Sequence, residues 1–65
     1  MKLKVITPLG TFKSKNTLSD ENRKEVRDFC KKMIEDGAYL TLETTEGEIV
    51  ISGEMIKQSI FILED

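Results

Sequence analysis

The sequence has one cysteine, one proline, no histidine and no tryptophan. Without histidine there is no Ser–His or Cys–His nucleophile pair and no zinc site of the common tetrahedral kind. The lone Cys30 has no partner for an internal disulfide. The four glycines are scattered, so no phosphate-cradling loop is present. No run approaches the roughly 18 apolar residues of a membrane-spanning helix. The opening stretch from Met1 to Thr7 alternates polar and apolar residues and lacks a long apolar core or a small-residue cleavage site, so it reads as a strand and not as a signal peptide. These absences leave a protein expected to be no enzyme, with no catalytic residues, no metal and no cofactor, working in the cytoplasm and away from membranes.

What is present is an uneven distribution of charge. Residues 1–33 carry nine Lys/Arg against four Asp/Glu, while residues 34–65 carry one Lys against eight Asp/Glu, so a formal net charge of −2 conceals halves of +5 and −7. Such asymmetry bears on association and partner choice rather than on fold. At 65 residues the chain makes a single domain, 1–65, and domains of this size bury only about 60% of their unfolded surface. With no disulfide or metal to reinforce the core, a homo-oligomer is expected.

The element pattern is regular. Lys2 to Thr7 alternates with period two, Pro8-Leu9-Gly10 offers a turn, and Thr11 to Lys13 returns as the partner strand. After the polar loop Ser14 to Thr17, Ser19 is placed to cap a helix with Asp20 and Glu21 in its first turn. Val26, Phe29, Cys30, Met33 and Ile34 form the apolar stripe of that helix, and Gly37 closes it. Ala38 to Thr45 and Glu48 to Ile51 read as a second hairpin turning at Glu46-Gly47, with Leu40 and Leu42 facing in and Tyr39, Thr41 and Glu43 facing out. One turn starting at Ser52 would carry Met55 and Ile56 over the sheet edge. Ile60-Phe61-Ile62-Leu63 offers apolar side chains to both faces of a last strand, which is therefore either central or in contact with another subunit. The expected fold is α+β: a small antiparallel sheet in the order ββ-α-ββ-β, with one amphipathic helix packed on one face.

Two constellations are candidates for binding. At about 100° per residue, Arg23, Arg27 and Lys31 form an i, i+4, i+8 ladder with Lys24 beside it, while Glu21, Glu25 and Asp28 fall on the far side. Like charges at this spacing oppose the helix by a few tenths of a kcal/mol per pair, so the ladder is a candidate surface for an anion or an acidic partner. The competing reading is a solvated face, with Asp20–Lys24, Asp28–Lys32 and Lys31–Glu35 as ordinary helical ion pairs. The other candidate is an oligomer interface formed by Ile60, Phe61, Ile62 and Leu63 together with Tyr39.

Lys2, Lys4, Lys13 and Lys15 of the first hairpin offer an extension of the ladder toward nucleic acid, but few aromatics remain for base stacking and the sequence pI of about 5.1 opposes it. Cys30 falls on the buried stripe and reads as a small core hydrophobe. Glu43, Glu46, Glu48 and Glu54 are spaced as strand and turn residues, without a calcium-binding loop to join them.

The segment Asp36-Gly37-Ala38-Tyr39-Leu40-Thr41-Leu42 through Glu46-Gly47-Glu48-Ile49-Val50-Ile51 to Ser59-Ile60-Phe61-Ile62-Leu63-Glu64 resembles the cadence of small accessory proteins of bacteriophages: helix, hairpin, a short turn that sets an Ile, and an Ile-rich last strand. The resemblance implies a protein made in an infected bacterial cytoplasm that binds a host protein and inhibits or adapts it; it assigns no functional residues. Three function classes follow, led by the protein-binding inhibitor or adaptor. The others are a nucleic-acid-binding module using the basic helix face and an oligomeric binder of a small anionic ligand.

Overall fold

The computed structural model describes residues 1–65. The chain is an α+β domain whose five strands are β1 (Lys2–Thr7), β2 (Gly10–Lys13), β3 (Leu40–Thr44), β4 (Gly47–Ile51) and β5 (Ile60–Glu64), with helices α1 (Arg23–Asp36) and α2 (Gly53–Lys57). All strand pairs are antiparallel. The expected single sheet is divided in two: a three-stranded sheet in the order β2-β1-β5 and the separate hairpin β3-β4. The two meet where the chain beyond β2 runs past β3, Lys15 N–H donating to Glu43 C=O at 2.8 Å.

Both hairpins turn on the same device. Thr7 Oγ1 accepts the Leu9 N–H at 3.2 Å and donates to Gly10 C=O at 2.8 Å; Thr44 Oγ1 accepts the Glu46 N–H at 3.2 Å and donates to Gly47 C=O at 2.9 Å. In each, a threonine hydroxyl satisfies both sides of a two-residue loop. The closing glycines sit at φ +152° and +125°, where a side chain is disfavoured. Thr-x-x-Gly thus places the second turn at Thr45-Glu46, one residue ahead of the expected Glu46-Gly47.

Ser19 is a cap, but of a shorter element than expected. Its Oγ accepts the Glu21 N–H, and Asn22 N–H returns to Ser19 C=O at 3.0 Å, an i→i+3 closure that makes Asp20–Asn22 a 3₁₀ turn and delays α1 to Arg23. Gly37, at φ +65°, ends α1 with its N–H on Met33 C=O. Ser52 caps α2 through Met55 N–H. The start of α2 packs on the end of α1 so closely that a Cβ at Gly53 would overlap the Gly37 carbonyl.

One core serves both sheets: Leu3 and Val5 of β1, Cys30 and Met33 of α1, Leu42 of β3, Ile51 of β4 and Ile56 of α2. Ile56 and Val5 are fully enclosed. The turn carrying Ile56 is therefore a plug in the centre of the fold and not a cover at the sheet edge. Burial of a side chain of that size contributes about 2–3 kcal/mol. Phe29, expected on the buried stripe, is 54% exposed, because Cys30 and Met33 occupy the middle of the stripe and leave Phe29 on its flank.

β5 is an edge strand, not a central one. Its register against β1 (Leu3 opposite Leu63, Val5 opposite Phe61, Lys4 opposite Ile62, Ile6 opposite Ile60) turns Phe61 and Leu63 inward and Ile60 and Ile62 outward. Lys2, Lys4 and Lys13 share that outer face, which α1 does not cover.

Candidate functional site

The four candidate residues of the basic ladder separate into two groups. Arg23 belongs to the scaffold: its guanidinium reaches Asp20 at 3.4 Å, the Asp65 carboxylate, and the Leu63 carbonyl at 3.4 Å, which pins the C-terminal end of β5 to the start of α1. Lys24, Arg27 and Lys31 are exposed, and no carboxylate lies within ion-pair distance of any of them. The helical pairs Asp20–Lys24, Asp28–Lys32 and Lys31–Glu35 do not form; Asp20 turns instead to Arg23 and to the Met1 amino group.

Arg27 and Lys31 stand on the rim of a groove of about 330 Å³ between α1 and β5. Cys30, Ile34, Phe61 and Leu63 supply its apolar lining, and Ser59 and Ile60 close the strand side. The rim is visible on a helical projection of the sequence but the groove is not, since the whole β3-β4 hairpin and α2 separate β5 from α1 in the chain. Cys30 is buried in the core, and burial pushes its thiol pKa up, away from the thiolate form that nucleophilic chemistry needs.

The candidate oligomer residues also divide. Phe61 and Leu63 pack against the core, whereas Ile60 (61% exposed) and Ile62 (37%) form an outward strip with Ile6. Tyr39 is not part of that strip. It precedes β3 and lies with Phe29 around a shallow notch on the other flank of α1, beside Lys32 and Ala38.

The hairpin lysines do not extend the ladder. Lys2, Lys4 and Lys13 project from the sheet face that α1 does not cover, and Lys4 and Lys13 are both held by Glu64. The Lys13 ammonium hydrogen-bonded to Glu64, with Lys4 adding its charge, keeps the Glu64 carboxyl below the usual carboxylate range. Glu43 and Glu48 face each other directly across β3-β4 with no cation between them. No group of three or more carboxylate or thiol side chains comes together in a way that would hold a metal ion, and no helix is long and apolar enough to cross a membrane.

Compared with protein-family models, curated proteins and solved structures, the chain matches none of them.

Proposed function

We propose that this is a non-enzymatic protein that works by stoichiometric binding of another protein, as the bacteriophage accessory proteins its cadence resembles do, in a bacterial cytoplasm. The observation that supports this reading best is the pairing of two unneutralised cations, Arg27 and Lys31, with an apolar groove beside a strand edge. Apolar contact area ringed by charge is the composition of protein interfaces. The nucleic-acid reading is weaker because the basic residues lie on two opposed surfaces and the exposed aromatics, Phe29 and Tyr39, sit on the flank away from the ladder.

Self-association is proposed separately, on the outer strip Ile6, Ile60 and Ile62, whose margin of Lys4, Lys13 and Glu64 carries both signs and so suits a second copy. Light scattering at about 100 μM is the check, with Ile60→Lys expected to return the mass to that of a monomer.

The function is tested with immobilised protein in a bacterial lysate, wild type against an Arg27→Gln/Lys31→Gln variant of equal stability. Retention of one protein by the wild type and its loss from the variant is the expected result. Salt-sensitive retention of generic DNA or RNA at physiological ionic strength, abolished by the same changes, would establish the nucleic-acid class instead.

A further inference from the structure

The two sides of the α1–β5 groove differ in kind. One is a helix flank carrying cations; the other is a strand with half of its backbone unpaired, because β5 bonds only to β1. Leu3 turns its peptide groups toward the β2 side, its N–H meeting Ser14 Oγ at 3.0 Å and its C=O accepting Ser14 N–H at 2.8 Å. Leu63 lies opposite Leu3 and Phe61 opposite Val5, so in an antiparallel ladder Leu63 and Phe61 turn their peptide groups away from β1. Arg23 Nη1 meeting Leu63 C=O at 3.4 Å fits that direction. Arg23 thereby closes the far end of the edge, while Phe61 N–H, Phe61 C=O and Leu63 N–H remain open at the groove.

We propose that this edge takes an extended segment of the protein partner as an added strand, with acidic side chains at alternate positions facing Arg27 and Lys31. The inference rests on the protein-binding reading above and names the partner's chemistry. Strand addition supplies affinity through main-chain hydrogen bonds and specificity through alternate side chains. The spacings agree: side chains two apart on a strand are about 6.6–6.8 Å apart, and residues four apart on a helix rise by about 6 Å, so two carboxylates on one face of the added strand meet Arg27 and Lys31 in step. The intervening side chains fall on the outer face, where they continue the Ile60–Ile62 strip, so the segment alternates acidic with apolar or β-branched residues. A basic or neutral segment lacks the charge complement to this rim. A second copy offering its own β5 brings only Glu64 and Asp65, which Lys4, Lys13 and Arg23 already hold.

The test uses isotope-labelled full-length protein and the capped peptide Ac-Thr-Glu-Val-Glu-Thr-amide, with Lys-for-Glu and Pro-for-Val peptides as controls. The expected result is one-to-one binding that weakens with salt, slowed exchange of the Phe61 and Leu63 amides, a roughly tenfold loss in Arg27→Gln/Lys31→Gln, and no binding of either control. Absence of protection at Phe61 and Leu63 with millimolar peptide overturns the proposal, as does binding that the double variant leaves intact. A dimer whose Leu63 amide is already protected without peptide overturns it in favour of a second copy. Lysate capture separates the readings: a protein still lost from the double variant while the peptide fails leaves protein binding standing and removes strand addition, whereas capture indifferent to Arg27 and Lys31 removes both.

Discussion

The three-stranded sheet and the β3-β4 hairpin are built from similar turns but differ in how their charges are treated. Every ion pair of the protein lies in or beside the first: Lys4 and Lys13 on Glu64, and Arg23 on Asp20 and Asp65 at the junction with α1, with the Met1 amino group on Asp20. The hairpin has none, and sets Glu43 directly against Glu48. The hairpin is held instead through Leu42 and Ile51 in the shared core and the Lys15–Glu43 backbone bond. One half of the sheet structure is thus locked by charge as well as by packing, while the other depends on packing alone and keeps its charge for the solvent or a partner.

That contrast is open to direct attack. The largest effect is expected where both regions share a residue. Ile56→Ala empties the centre of the common core and should cost about 3 kcal/mol, read as a fall in denaturant midpoint. The two regions should unfold together, in one transition, if the core is their common support.

Next in size is the division within the ladder. Arg23→Gln removes contacts to two carboxylates and a carbonyl in a partly exposed setting and should lower stability by about 1 kcal/mol. The triple change Lys24→Gln/Arg27→Gln/Lys31→Gln should stay within a few tenths of a kcal/mol. Equal costs in thermal unfolding would show that Arg23 is no different from its neighbours.

Acid should act on the charged region first. The Glu64 pKa is lower in the folded chain than in the unfolded one, so the stability it contributes is complete above the ordinary carboxylate range and declines as pH falls toward the folded value. A Glu64→Gln variant is expected to lose less stability than the wild type over that interval, and identical acid profiles would show that the Glu64 carboxylate contributes nothing to acid stability. In the hairpin a small gain is expected: Glu48→Thr relieves the facing carboxylates and places a β-former on the strand, raising stability by roughly 0.5 kcal/mol. A loss on this change would mean that Glu48 has a partner after all.

Much of the fold was legible in the chain. Lys2 to Thr7 was readable because polar–apolar alternation matches the strand repeat, and the Cys30–Met33–Ile34 stripe because its spacing matches the helical one. The exceptions have local physical causes. Ser19 closes a tight 3₁₀ turn before the helix proper, and the Thr7 and Thr44 hydroxyls, not a Glu-Gly pair, organise the hairpin turns. The candidate site was half legible. Arg27 and Lys31 stood out on a helical projection, but so did Arg23, and nothing in the projection distinguishes a cation that the fold consumes from one that it leaves free.

The sequence by itself determined the order and kind of elements, the separation of basic from acidic halves, and the absence of histidine and disulfide chemistry, since these depend only on neighbours in the chain and on composition. Tertiary structure alone decided that five strands divide into two sheets, that Ile56 plugs the core while Phe29 is left outside it, that β5 lies at an edge, and that its open backbone borders Arg27 and Lys31. Each of these is a juxtaposition of residues distant in the chain, fixed by which apolar faces bury one another, and local periodicity carries no information about that choice.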